Sequence, residues 1–218
     1  MDEKVVIAKR VALEMKEGSL VNLGIGLPTT VATYLPAGLQ VFFQSENGII
    51  GLAPAPDGGL TDPNLTDAGG GFVGAIPGAA SIDSAVSFGL IRGGHLDVTV
   101  LGGLEVDELG HLANWTVPGK MIPGMGGAMD LVSGARTVIV AMEHTTRDGG
   151  AKILKRCTLP LTAAGKVTSI ITEMAVFRFI KGVLTLTETA PGVTVETIRA
   201  RTEAAFAVSP DCREMQSA

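Results

Sequence analysis

Apolar residues recur every fourth position in the opening segment: Ile7, Val11 and Met15 share one face, Lys9, Arg10, Glu14 and Glu17 fall between them, and Gly18 follows as a stop. This spacing predicts an amphipathic helix over residues 3–16. The short apolar run 20–23 reads as a strand, Gly24-Ile25-Gly26-Leu27-Pro28 turns the chain, and 29–35 restarts as a helix with Pro28 in its first turn. A second apolar strand, 41–45, stops at Glu46-Asn47-Gly48, and 49–52 is apolar again. Residues 53–78 are rich in Pro, Gly, Asp and Asn without periodicity and predict a long loop that is functional or covers an edge. A helix over 81–92, a strand over 98–101 and a helix–strand pair at 129–133 and 137–142 follow. A hairpin of 175–180 and 183–188 around Lys181-Gly182 and a last helix over 195–206 complete the pattern. Mixed helices and strands of this kind predict an α/β domain with some antiparallel pairing.

With 218 residues, no internal repeat and no clear linker, a single domain over 1–218 is expected, two tightly joined lobes being the other arrangement allowed. Charged residues make up 18% of the chain, against a usual share of about 25%. So little surface charge points to contact with another chain. The net charge of −5 and the lack of a basic run longer than two residues argue against nucleic acid and anionic membranes as partners. The longest uncharged stretch, 18–45, is broken by Asn22, Pro28, Pro36 and Gln40, so no transmembrane helix is expected. Acids in Met1-Asp2-Glu3-Lys4 do not suit a secretory signal, and Cys157 and Cys212 lie far apart as reduced thiols would; the expected compartment is the cytoplasm.

Two places can carry chemistry. Glu46 stands where an apolar strand ends and an Asn-Gly pair supplies the backbone angles of a tight turn, so its carboxylate points into a cleft or lies exposed on a hairpin. In Pro123-Gly124-Met125-Gly126-Gly127-Ala128-Met129-Asp130 a glycine turn leads into a helix; it either aims backbone N–H groups at one anion or simply packs closely. The Gly24–Pro28 loop is a weaker version, because Thr29 takes the place of the third glycine of a dinucleotide fingerprint. His95, His111 and His144 lack metal-site spacing, and Ser45 lacks the flanking glycines of a hydrolase elbow. Asp57, Asp62 and Asp67 read as solvated loop acids, Lys120 as a surface lysine, and Trp115 as packing beneath the loops.

Taken in order, Val21-Asn22-Leu23-Gly24-Ile25-Gly26-Leu27-Pro28, Ser45-Glu46-Asn47-Gly48, Arg92-Gly93-Gly94-His95, Leu112-Ala113-Asn114-Trp115 and Gly124-Met125-Gly126-Gly127-Ala128-Met129-Asp130 resemble the B (beta) subunit of class I 3-oxoacid CoA-transferases over nearly the whole chain. The resemblance implies an open mixed, mainly parallel sheet with helices on both faces and glycine-rich loops at strand ends. It implies Glu46 as nucleophile, the Gly127 and Ala128 amides as part of an oxyanion hole, and Asn22, Gly24, Gly26 and Asn47 near coenzyme A. No permanently bound cofactor or metal is implied, CoA being a substrate. It further implies a partner, the A (alpha) subunit, commonly in an α2β2 assembly, and CoA exchange between a short-chain acyl-CoA and a 3-oxoacid such as acetoacetate. Rival readings are the 3-oxoadipate branch of the same family, a phosphosugar isomerase of related fold, and a non-catalytic binding protein.

Overall fold

The computed structural model describes residues 2–56, 62–119 and 124–216; Asp57, Lys120 and Pro123 lie outside them. Helix α1 spans Glu3–Ala12, capped by Asp2, whose carboxylate accepts the Lys4 N–H at 2.9 Å. It ends about a turn short of the prediction, because the chain bends after Leu13 to bring Gly18, at φ 71°, onto the carbonyl of Gln40. Strand β1 (Leu20–Leu23), a 3-10 helix (Leu27–Tyr34), and strands β2 (Phe42–Ser45), β3 (Ile49–Ala53) and β4 (Gly74–Ser81) follow. Then come α2 (Ser84–Arg92), β5 (Val98–Gly102), β6 (Glu105–Asp107), β7 (Leu112–Ala113), α3 (Ala128–Gly134), β8 (Thr137–Ala141), β9 (Ile153–Leu154) and β10 (Ser169–Ile171). The chain closes with β11 (Ala175–Ile180), β12 (Val183–Thr189), α4 (Val195–Ala200) and β13 (Ala207–Glu214).

Ten strands form one open sheet in the order β13-β12-β11-β10-β8-β5-β1-β2-β3-β4, and β7-β6-β9 form a small second sheet. The centre, β10-β8-β5-β1-β2, is parallel throughout, and antiparallel strands extend it on both sides. Strand alternation divides the core in two. Val98, Val100, Ile139, Ala141 and Ile171 point towards α1 and the 3-10 helix, whereas Leu101, Val138, Val140 and Ile170 point to the face covered by α2 and α3. Burial on both faces explains why β5 and β8 read as continuous apolar runs. The β11–β12 hairpin turns as expected, with positive φ at both Lys181 (51°) and Gly182 (81°).

Two further elements differ from the pattern-based expectation. The predicted loop 53–78 contains most of β4, an edge strand of small, largely exposed residues with Pro77 inside it. With no face buried it has no alternation to reveal it, and a sheet edge tolerates proline. The final helix stops at Ala200 because Phe206 turns into the core, edge-on to Phe177 at 5.2 Å, and the chain resumes as β13. Among the described residues no helix is long and apolar enough to cross a membrane.

Candidate active site

The carboxyl ends of β1, β2 and β5 meet the start of α3 around a cleft of about 600 Å³. The chain leaves β1 towards β2 on one side and returns to β5 on the other, so the cleft lies at a topological switch point, where open α/β sheets place ligands. Ile25, Glu46, Ala68, Trp115, Met125 and Gly127 are among its walls.

Glu46 follows the last residue of β2 and is aimed by the turn after it. Gly48 sits at φ 122°, and a Cβ there would lie 2.0 Å from the carbonyl oxygen of Ile82, so only glycine fits. Its own carbonyl accepts the Ile82 N–H at 2.8 Å. Asn47 does not share the positive φ expected of an Asn-Gly pair. Its side chain instead donates to the carbonyl of Thr66 at 2.7 Å, outside the cleft walls. Ser45 Oγ accepts the Ala68 N–H at 2.9 Å, so both neighbours of Glu46 pin the 62–73 segment. Asp67 stabilises that segment by accepting the Gly69 and Gly71 N–H groups at 2.9 Å each.

One oxygen of Glu46, Oε2, accepts a hydrogen bond from Asn22 Nδ2 at 3.1 Å. Asn22 is only 1% exposed; it lies beneath the carboxylate and reaches the cleft through it. The other oxygen faces the glycine turn. A Cβ on Gly127 would lie 3.1 Å from Glu46 Cγ, 3.2 Å from Oε1 and 3.3 Å from the Phe88 ring, so the missing side chain is what lets carboxylate and backbone approach. Gly124 (φ 96°) and Gly126 (φ 52°) supply the bend that presents Gly127. The Gly127 N–H has no hydrogen-bond partner among the described residues, while the Ala128 N–H donates to Met125 O at 3.2 Å, closing the turn. Gly24 packs against β5, its N–H on Val100 O at 2.8 Å, and Gly26, at φ 92°, begins the 3-10 helix.

The chain matches the Coenzyme A transferase family over residues 4–201. It belongs to that family. It is 60% identical over 211 residues to the beta chain of the acetate CoA-transferase of Escherichia coli K12, covering 97% of this chain and 96% of that one. It is 52% identical over 203 residues to the B subunit of a probable succinyl-CoA:3-ketoacid coenzyme A transferase of Bacillus subtilis 168, covering 93% and 94% respectively. In fold it matches a solved acyl-CoA transferase of Escherichia coli O157:H7 with a TM-score of 0.80 at 24% identity, over 99% of this chain and 44% of that longer one. The class I CoA-transferase resemblance read from the motifs, to the B (beta) partner of the pair, is thus correct, and the chain is a CoA-transferase subunit.

The remaining candidate groups of this CoA-transferase chain stand apart from the cleft. His144 is wholly buried between the hydroxyls of Thr172 and Thr202, at 3.0 Å each. Burial, with Arg201 and Lys152 adding to it, lowers its pKa to about 4, so it is neutral. His111 bonds Asp107 at 2.9 Å in the β6–β7 turn. Burial, reinforced by Asp107 and Glu105, pushes the Cys157 thiol up to about 12, which leaves it a poor nucleophile. Among the described residues no cluster of three His, Cys, Asp or Glu side chains could hold a metal. Trp115 lines the cleft, and among the described residues its buried indole N–H has no acceptor. Motif reading assigned no role to Gln44 or Ser87, which hold the groups beneath Glu46. The available signal was a glutamine inside an otherwise apolar strand.

Proposed function

We propose that this subunit transfers CoA between a short-chain acyl-CoA and a 3-oxoacid such as acetoacetate, through covalent intermediates on Glu46. The observation that carries the reading is the Glu46 side chain set against Gly127 inside the cleft, with one oxygen held by Asn22 and the other beside the glycine turn. Carboxylates are ionised at neutral pH without a partner base, so none of the three histidines is needed. The Glu46 carboxylate attacks the thioester carbonyl, and the tetrahedral intermediate expels CoA thiolate to leave an acyl-glutamyl anhydride. Thiolate then attacks the Glu46 carbonyl carbon, releasing the donor acid and forming a glutamyl-CoA thioester. The acceptor carboxylate attacks that thioester and expels thiolate, which takes the acceptor acyl group and returns the free carboxylate of Glu46. Thioester energy is conserved, so ATP is not consumed.

Each tetrahedral intermediate carries an oxyanion, for which the amides of Gly127 and Ala128 are the proposed donors. Losing one donor of this type costs about 2.7–4 kcal/mol in the transition state. The Ala128 N–H must leave Met125 O to take part, whereas the Gly127 N–H needs no such exchange among the described residues. Gly24, at the end of β1, borders the path proposed for the CoA arm, with Gly26 just beyond it; Asn47 would support this path through the 62–73 segment.

The anhydride must be kept from water, and the cleft bounded by the described residues is open. A partner A (alpha) chain in an α2β2 assembly would cover it; the exposed rim residue Ile25, 74% accessible, and the low surface charge support such a cover. Relatives named for acetate and for succinyl-CoA:3-ketoacid exchange support the substrate class. The test is to supply the assembled complex with acyl-CoA, reduce with borohydride and locate the product by peptide mass. Reduction of Glu46 to an alcohol, dependent on acyl-CoA, is expected; a complex that exchanges CoA with Glu46 unmodified overturns the reading. A phosphosugar isomerase would turn over without CoA, and a binding protein would show neither reaction.

A further inference from the structure

The geometry points to Gln44 and Ser87 as positioning residues that set the direction of the hydrogen bonds beneath Glu46; the inference rests on Glu46 being the nucleophile. Three buried polar side chains connect helix α2 to the carboxylate. Gln44 Nε2 donates to Ser87 Oγ at 2.9 Å, Gln44 Oε1 accepts from Asn22 Nδ2 at 2.9 Å, and Asn22 Nδ2 donates to Glu46 Oε2 at 3.1 Å. Ser87, Gln44 and Asn22 are 0%, 4% and 1% exposed, so water cannot substitute for a missing partner.

The order of donors and acceptors is fixed. Asn22 Nδ2 also meets the main-chain carbonyl of Gln44 at 3.1 Å, a group that only accepts. Turning the Asn22 amide over would set its oxygen against that carbonyl and against the Glu46 carboxylate. Turning only the Gln44 amide would set NH2 against NH2. Both are repulsive, so the low-energy arrangement aims an N–H at Oε2, provided Ser87 accepts the far end of Gln44. The two Asn22 N–H groups are shared among three acceptors, one of them in a three-centre bond, and among the described residues Asn22 Oδ1 is buried without a donor.

Helix α2 and the residues leading into it therefore hold the nucleophile turn at two points, Ile82 pairing with Gly48 and Ser87 ending the polar chain, while the Phe88 ring stands 3.3 Å from where a Cβ on Gly127 would be. With Oε2 held from below, Oε1 is the oxygen left to attack, on the side of the glycine turn. Losing this hold leaves charge and binding surface intact but spreads the carboxylate over more orientations, and small misplacements of a reacting group are expensive in rate.

The test uses complexes purified with the partner chain and carrying Gln44→Met, Ser87→Ala or both. Each is mixed rapidly with acyl-CoA, and the Glu46 adduct is trapped with borohydride at successive times. Gln44→Met is expected to slow adduct formation by about 10- to 100-fold and Ser87→Ala by about 10-fold, with KM for acyl-CoA changed by less than about threefold. Because both residues act through one chain of hydrogen bonds, the double variant should be within about twofold of Gln44→Met alone. Wild-type adduct rates per trapped site in Gln44→Met, or single effects that multiply in the double variant, would show a packing role only and overturn the proposal. If Gln44→Met does not assemble, Ser87→Ala, which removes one hydroxyl, decides by the same rate. Failure of the wild-type complex to give any adduct would instead remove the nucleophile reading of Glu46 itself.

Discussion

Carboxylates wholly or partly withdrawn from solvent are treated in opposite ways on the two sides of the sheet. Towards α1, Arg10 pairs with Glu14 and Glu188 at 2.7 Å each, and both acids take a second guanidinium, Arg178 at 2.6 Å and Arg213 at 3.2 Å. Burial works against ionisation of Glu14 and Glu188, but the guanidinium contacts outweigh it and hold both carboxyls below their ordinary range. On the α2 side Glu46 has an amide for company, and among the described residues no cation within ion-pair distance. A paired carboxylate has its lone pairs committed and serves the fold. A carboxylate held by one neutral donor keeps a free oxygen and a full charge for attack. If Glu46 is the nucleophile, as proposed, what sets it apart from Glu14 and Glu188 is incomplete satisfaction at a cleft rather than burial or polarity.

Replacing the acid in each cluster is the sharpest way to break this contrast. Glu46→Gln removes the proposed nucleophile without changing shape, and exchange activity of the assembled complex should fall by at least about 10⁴-fold with the melting temperature unchanged. A variant that keeps measurable exchange and still melts normally would end the contrast. Arg10→Met should do the reverse. It leaves Glu14 and Glu188 buried with fewer counter-charges and should cost about 3–5 kcal/mol of stability in urea unfolding, with the rate per folded complex unchanged. Because the folded-state pKa values of both acids are lowered, their contribution is present above their ordinary value of 4.5 and is lost as pH falls below it. That acid loss should shrink in Arg10→Met.

His144 offers a smaller test away from either carboxylate. Thr172 and Thr202 bond its ring, Glu173 accepts its backbone N–H, and Arg201 and Lys152 are the nearby cations. Its folded pKa, about 4, is below the ordinary 6.5, so the unfolded chain takes up the proton first. The sign makes stability fall with pH across this window, by about 2 kcal/mol between pH 7 and 5. In His144→Gln the urea midpoint should vary less over that range, and an unchanged slope would remove the assignment of His144 as a neutral structural group.

Strands β1, β2, β5 and β8 of the parallel centre were legible as apolar runs, β5 and β8 because they are buried on both faces and β2 because Glu46 ends its run, whereas β10 (Ser169–Ile171), of three residues, was not. Edge strands β4 and β13 were not, since neither has a continuous buried face, and β6, β7 and β9, of two or three residues, are too short to show a period. The site was partly legible for a related reason. A carboxylate at a strand end and a run of glycines before a helix are local signals, but the link between Gln44 and Ser87 spans 43 residues and exists only once α2 has packed on β2. Asn47 shows the converse: adjacent to Glu46 in sequence, it turns away to Thr66.

Gly127→Ala gives the smallest effect and the finest test of the contrast, because it adds one methyl group between the two partners of the site. At φ −84° the backbone accepts alanine without strain, so stability should change little. The new Cβ would stand 3.1 Å from Glu46 Cγ and 3.3 Å from the Phe88 ring, and the carboxylate, hinged at the end of β2, is the group free to yield. A displacement of a few tenths of an ångström moves Oε1 off its line of attack while Asn22 still holds Oε2. The expected result is a loss of about 10-fold in kcat with KM for acyl-CoA nearly unchanged, read in steady-state exchange assays. A loss in the Gly127→Ala/Gln44→Met double variant no larger than that of Gln44→Met alone would place both changes on one coordinate, the orientation of Glu46. Full additivity would mean that Gly127 acts on the oxyanion and Gln44 on the nucleophile.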